Sequence, residues 1–332
     1  MKPMRCAALG GLLLAMTLVV MSPAPVAALE EVRVRDSWIP NAFQAGWHYA
    51  LGKGWFEEQG LQISHEDGNG SAVSVPIIAA KQADIGWGDL STMAVGRGKG
   101  MEVISIMGLL RKTQLGIFVP KDSGIKTPKD LEGKTLLYTA GSVEAPYLDA
   151  FFSAGGTSRD KVDLVSVDAA AKIGAYVAGE GMGVATTIPF GWPLIQPHRP
   201  SDAIAFAEYG FVLPGYGMYV HEDTLAERKE MLAKVVAVMV RAWQAIQEPG
   251  GAEEAADIMI GRRPDAKLDR AQLIEQITLH FPYFTTEATA DKPLGWQAPE
   301  DWTKTIVNLE HAELVPAGSK PEDYFTNELI PQ

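Results

Sequence analysis

Four segments share one pattern, in which a short apolar run ends in Gly, Ser, Thr or Asn and passes into a helical stretch. They are Asp67-Gly68-Asn69-Gly70-Ser71, Trp87-Gly88-Asp89-Leu90-Ser91, Thr139-Ala140-Gly141-Ser142 and Thr186-Thr187-Ile188-Pro189. At the carboxyl ends of parallel strands such turns aim backbone N–H groups and small hydroxyls into the crevice where open α/β sheets bind ligands. The same residue types cap helices, so each segment alone reads equally as a cap. Four in register on two lobes point to a cleft. Aromatic residues add a second signal: Trp38, Phe43, Trp47, Trp87, Phe190, Trp192 and Tyr216 lie at or just past predicted strand ends. A planar ligand stacked among them gains about 0.5–1.5 kcal/mol per ring pair beyond area burial. Phe43 and Trp47, four apart on a helix, read as well as core, which leaves Trp38 and Trp87 as the better stacking candidates. The predicted ligand contacts read from the residues are Trp38, Ser71, Trp87, Asp89, Gly141, Ser142, Thr187, Phe190, Trp192 and Tyr216.

Recognisable catalytic chemistry is missing. There is no Gly-x-Ser-x-Gly elbow and no phosphate loop ending in Gly-Lys-Ser/Thr. The histidines, at 48, 65, 198, 221, 280 and 311, have neither a second histidine nor a paired carboxylate at metal-ligand spacing. Gly96-Arg97-Gly98-Lys99-Gly100 follows a helical stretch, so it reads as a helix stop. No catalytic residue, metal site or cofactor is predicted. The net charge is −12, and no basic run exceeds Arg262-Arg263, which excludes an electrostatic footprint for nucleic acid.

These residues need a scaffold. Residues 1–28 read as a secretory signal peptide: Lys2 and Arg5 precede an apolar run to Met21, Pro23 and Pro25 end it, and Val26-Ala27-Ala28 offers cleavage after Ala28. The only cysteine is Cys6, so the mature chain forms no disulfide, which suits a bacterial periplasm. Short strands at Val32–Arg35, Leu61–Ser64, Ala83–Trp87 and Val103–Met107 alternate with helices at Phe43–Glu58, Ser71–Gln82 and Leu90–Gly98. A second α/β unit follows, with strands near Leu115–Val119, Thr135–Tyr138, Val162–Val165 and Val184–Thr187 and helices near Val143–Ser153 and Ala169–Ala178. After a strand at Tyr216–Val220 only helices are predicted, at Thr224–Glu248, Ala252–Ile260, Asp269–His280 and Pro299–His311, with Pro282–Pro299 as an irregular connection. Two α/β lobes with mostly parallel sheets are expected.

Four further segments carry a resemblance: Trp38-Ile39-Pro40-Asn41, the run from Gly46 to Leu61, Ala83-Asp84-Ile85-Gly86-Trp87-Gly88-Asp89, and the run from Gly124 to Lys134. With them, over about Val32 to Leu225, the chain resembles the substrate-binding proteins of ABC importers for thiamine-pyrimidine precursors, sulfonates, taurine and nitrate. The resemblance implies a two-lobed periplasmic-binding-protein fold of type II with a helical C-terminal part. The lobes would be residues 29–118 and 219–332, and residues 119–218. It is nearest to the thiamine-precursor branch, where a Trp-x-Pro-Asn motif supplies a stacking Trp and a hydrogen-bonding Asn; this carries Trp38 and Asn41 over as ligand contacts. Gln44 stands where that branch has a His. Gly141 and Glu144 match a Gly and a Glu at the start of the second-lobe helix, the Glu pairing with an aminopyrimidine edge. The implied protein is a periplasmic monomer that captures a small planar nitrogen heterocycle and hands it to an ABC permease at the inner membrane. The alternative ligand is an organic anion, such as a sulfonate, taurine or an aromatic carboxylate. Enzymes of the same branch make the pyrimidine, but they need a reactive Lys, a His and a Cys-rich segment, and the mature chain has no Cys.

Overall fold

A computed structural model describes Met1 and residues 28–331. Apart from its two end residues, the predicted leader lies outside the described residues. In chain order the elements are β1 (Glu30–Asp36), α1 (Ala45–Gly52), α2 (Trp55–Glu58), β2 (Leu61–Glu66), α3 (Ser71–Ala79), β3 (Ile85–Asp89), α4 (Leu90–Gly98), β4 (Val103–Gly108), β5 (Leu115–Pro120) and β6 (Thr135–Tyr138). Next come α5 (Leu148–Ala154), β7 (Asp163–Ser166), α6 (Lys172–Val177), β8 (Gly183–Thr187), α7 (Ile188–Ile195), β9 (Ser201–Ala205) and β10 (Tyr216–His221). The remainder is helical: α8 (Glu222–Glu227), α9 (Lys229–Gln247), α10 (Gly251–Arg262), α11 (Arg270–His280) and α12 (Pro299–His311).

The strands form two five-stranded sheets of one design, ordered β2-β1-β3-β10-β4 and β7-β6-β8-β5-β9. In each, four strands share one direction, and the single strand that runs against them, fourth in order, is contributed after the chain has crossed from the other lobe. Thus β10 pairs antiparallel with both β3 and β4, and β5 with both β8 and β9. The crossings are residues 109–114 and 206–215. The sequence-drawn lobe boundaries at Phe118 and Met218 therefore fall inside β5 and β10. Both crossings are clasped by the C-terminal part. Arg111 is buried, and its guanidinium donates to the carbonyls of Thr289 and Pro293; Asn308 Nδ2 donates to the Gly210 carbonyl at 2.9 Å.

Two predicted helices are interrupted. The stretch 43–58 breaks at Gly54, which takes a left-handed φ of 72° that few other residues tolerate. The stretch 224–248 breaks at Arg228. The edge strand β9, short and half-buried, escapes the sequence reading. Helix α7 begins where the Thr186–Pro189 segment passes into a helical stretch, with Pro189 in its first turn, where a proline loses no helical hydrogen bond. Helix α9 packs on α1 and α10 with Met231, Val235, Val238, Ala242 and Trp243 buried, as its three-and-four spacing requires.

Two imidazoles are buried without side-chain partners. Neither ring nitrogen of His48 or of His280 has a hydrogen bond, and burial pushes both rings down to a pKa of about 3. The unfolded chain takes a proton at each near 6.5 and the folded chain does not until about 3. Stability present above pH 6.5 therefore falls as pH drops through that window, by about 1.4 kcal/mol per unit per ring. Buried Asp36 and Asp89, whose carboxyls are pushed up, act in the opposite sense. Comparing wild type with His280→Leu isolates one ring. Between pH 7.5 and pH 5 the variant should lose about 2 kcal/mol less than wild type in urea unfolding; equal losses would show that His280 is not held neutral.

Candidate ligand-binding site

The site is built at the strand ends facing the gap between the lobes. After β1 the chain turns sharply, and Asn41 fixes the turn: its Oδ1 accepts from the Phe43 amide at 2.9 Å and its Nδ2 donates to the Ile39 carbonyl at 2.6 Å. This sets Trp38 and Phe43 side by side. Phe43 stacks on Tyr216 of β10 with ring centres 3.9 Å apart and planes 4° from parallel. From beneath, Trp87 Nε1 donates to the Phe43 carbonyl at 2.7 Å, and the Ser37 hydroxyl donates to the Tyr216 hydroxyl at 2.9 Å. The first lobe thus contributes a wall of three rings held from behind.

The second lobe contributes Ser142, Val143 and Glu144 from the turn after β6, Lys172 from the start of α6, Thr186 and Thr187 from the end of β8, and Phe190 from α7. With Trp38, Phe43 and Tyr216 they line a tight cavity of about 20 Å³ between the lobes. Its polar feature is an ion pair almost wholly shielded from solvent. Lys172 Nζ donates to Glu144 Oε1 at 2.7 Å and to the Ala185 carbonyl at 2.8 Å, with the two side chains 1% and 2% exposed. The ammonium also lies 5.3 Å from the centre of the Trp38 ring, across the gap. The lining is therefore neutral overall, with one carboxylate oxygen of Glu144 not engaged by Lys172.

Of the sequence-predicted contacts, Trp38, Ser142, Glu144, Thr187, Phe190 and Tyr216 line this cavity. The others stand elsewhere, each for a local reason. Trp87 is fully buried behind Phe43. Asn41 is spent on its own turn and faces a larger outer groove. Asp89 caps α4, accepting from the Thr92 amide at 2.7 Å and the Ser91 hydroxyl at 2.6 Å, and burial pushes its carboxyl up to about 6. Ser71 accepts from the Asp89 amide at 3.2 Å and is buried. Trp192 is 37% exposed, with its ring 6.2 Å from that of Phe118 in the second lobe.

Gly141 has a different task. It meets Gly70 of the first lobe so closely that a Cβ on Gly70 would lie 1.8 Å from the Gly141 carbonyl oxygen. The sequence reading missed Lys172, since a lysine on a short helix ordinarily points to water. Its signal was position: Tyr176, four residues on, shares its helix face, and both are buried.

Two lobes of one topology, joined by two crossings around a ring-walled cavity, define the periplasmic-binding-protein fold. The chain belongs to the NMT1/THI5-like family, whose profile matches residues 41–252. It is 24% identical to the riboflavin-binding protein RibY of Chloroflexus aurantiacus, over 93% of this chain and 89% of that one. It is also 24% identical to the formylaminopyrimidine-binding protein of Halalkalibacterium halodurans, over 90% and 91%. The 4-amino-5-hydroxymethyl-2-methylpyrimidine phosphate synthase of Aspergillus parasiticus is 25% identical over 91% and 87%. Among solved structures, the alkanesulfonate-binding protein SsuA of Xanthomonas axonopodis pv. citri bound to MOPS shares the fold, with a TM-score of 0.70 and 13% identity over 91% of this chain and all of that one.

The Gly70–Gly141 contact exists only when the lobes are together, so Gly70→Ala should hold them apart. Small-angle X-ray scattering should show a larger radius of gyration for that variant. Gly60→Ala is the control: it too has a positive φ, but nothing lies within 4 Å of its Cβ. Both should cost about 1–3 kcal/mol of stability through backbone strain. Identical scattering from the two variants would refute the contact's role in closure.

Proposed function

We propose that the protein is the solute-binding component of an ABC importer, exported through a cleaved signal peptide, and that its ligand is a small, neutral, planar nitrogen heterocycle of the thiamine-pyrimidine-precursor kind. It works as a monomer, closing its two lobes around the ligand and presenting the closed surface to a permease at the inner membrane. The observation that carries this reading is the neutral cavity. Aromatic rings on both sides suit a flat ligand, and the unengaged oxygen of Glu144 suits an amino group. The names of two relatives support it, since riboflavin and formylaminopyrimidine are both nitrogen heterocycles.

An organic anion fares worse. The only cation lining the cavity among the described residues is Lys172, and it is already committed to Glu144 and the Ala185 carbonyl. Bond-making chemistry also lacks support: the mature chain has no cysteine nucleophile, and the buried lysine has no unengaged approach. The reading is that of a binding protein and not of a synthase.

The ligand class is tested by thermal shift at equal concentrations of 4-amino-5-hydroxymethyl-2-methylpyrimidine, a short alkanesulfonate and benzoate. Stabilisation grows as RT ln(1 + [L]/Kd), about 2.7 kcal/mol at a hundredfold excess over Kd. The aminopyrimidine should stabilise the protein and the anions should not. Trp38→Ala should then weaken binding by about 1–3 kcal/mol, five- to a hundredfold, with folding retained. Stabilisation by anions alone, persisting in Glu144→Gln, would overturn the reading.

A further inference from the structure

Where the Trp38 ring stands depends on the turn that carries it out of β1, and each backbone polar atom of Ser37 and Trp38 in that turn is bonded. The loop after β2 takes the carbonyls: the Gly70 amide donates to Ser37 at 2.6 Å and the Gly68 amide to Trp38 at 3.1 Å. Gln44 Nε2 adds a second bond to the Trp38 carbonyl at 3.2 Å. The two amides converge on one atom, Oδ1 of Asp36, from Ser37 at 2.8 Å and from Trp38 at 3.4 Å. Asp36 ends β1 and is wholly buried, and a carboxylate removed from water needs a partner. His65 supplies it. Opposite Val34 in the parallel register of β1 and β2, it projects on the face that Asp36 shares, and its Nε2 lies 3.1 Å from Asp36 Oδ2. Its Nδ1 has no partner, which places the ring proton on Nε2, where it donates to the carboxylate. Burial pushes the Asp36 carboxyl up, and the His65 contact pulls it back.

We propose that Asp36 and His65 are positioning residues for ligand binding, a buried pair that fixes the direction of the Trp38 ring without touching the ligand. The proposal rests on the stacking role given to Trp38 above and deepens it. The two oxygens of one carboxylate divide the work. Oδ1 gathers the amides of the turn, while His65 holds Oδ2 and so preserves the charge that makes Oδ1 a strong acceptor. The imidazole is itself held between neighbours, with the His48 ring edge-on at 5.3 Å and the Trp47 ring stacked at 5.8 Å. Without the His65 donor the two amide bonds weaken and the Trp38 turn loosens, while β1 stays paired with β2 and β3. A pair that served stability alone would not act through Trp38.

Two variants separate the donor from the bulk of the ring. His65→Gln keeps an N–H donor toward Asp36, and His65→Leu fills the space with none. With 4-amino-5-hydroxymethyl-2-methylpyrimidine as probe and affinity read by calorimetry, His65→Leu should weaken binding about tenfold or more and His65→Gln less than about threefold. In a Trp38→Ala background His65→Leu should cost less than about twofold further, because nothing is left to position. A second measurement needs no ligand. Protein labelled with 5-fluorotryptophan has eight tryptophan positions, and Trp38→Phe assigns the fluorine resonance of Trp38. That resonance should shift or broaden in His65→Leu and return toward its wild-type place in His65→Gln. If His65→Leu fails to fold, Asp36→Asn, which keeps the oxygen and removes the charge, is read in the same two backgrounds with the same expectation. Equal losses with and without Trp38, or a Trp38 resonance that His65→Leu leaves unmoved, overturn the positioning role while leaving the heterocycle reading intact. Wild type that does not bind the probe overturns the heterocycle reading, and the fluorine resonance then decides the positioning role by itself.

Discussion

Two opposite charges are sealed between the lobes, and the site depends on their staying paired. Moving one carboxylate or ammonium out of water costs several kcal/mol even after relaxation, and a pair recovers this only with good geometry and further hydrogen bonds. Lys172 and Glu144 meet that condition at 2.7 Å, with the Ala185 carbonyl taking a second ammonium hydrogen. The pair links α6, the turn after β6 and β8, so three elements of the second lobe are held in one arrangement at the cavity wall. The face of the Trp38 ring from the other lobe then covers the ammonium. A cavity that is polar at one edge, apolar on its faces and uncharged overall follows from this arrangement.

Much of the fold was legible because it rests on local rules. The alternating runs at Val32–Arg35 and Leu61–Ser64 are two strands in parallel register, and Thr135–Tyr138 is a strand over the span expected. The misses came where one local rule was overridden by another. The helix expected over 43–58 is one such case, because Gly54 takes a left-handed φ of 72° and divides it. The site was legible in outline only. Several strand-end residues line the cavity, but sequence could not separate a hydroxyl or carboxylate aimed into the cleft from one turned back on its own helix. Asp89 caps its own helix and the Ser142 hydroxyl donates back to the Thr139 carbonyl, whereas Glu144 meets Lys172 at the cavity wall. Nothing local distinguishes them, because the choice is made by which lobe lies opposite.

The closed arrangement is held by few and specific contacts. Gly70 against Gly141 and Lys172 over Trp38 both join one lobe to the other. Each is short-ranged, and each is lost when the lobes separate. The C-terminal segment that clasps Arg111 and the Gly210 carbonyl lies instead on the crossings, where it can hold the hinge without blocking its motion. Unpartnered His48 and His280 show the cost of this design: polar rings are kept behind the aromatic wall, where they pack well and hydrogen-bond to nothing.

The central claim is that the cavity between the lobes takes a neutral ring. Native mass spectrometry of the protein purified from its own host without added ligand, followed by release and identification of the bound molecule, tests this most directly. The account predicts a single-ring, uncharged nitrogen heterocycle at one copy per chain. A sulfonate or a carboxylate in that position would contradict it.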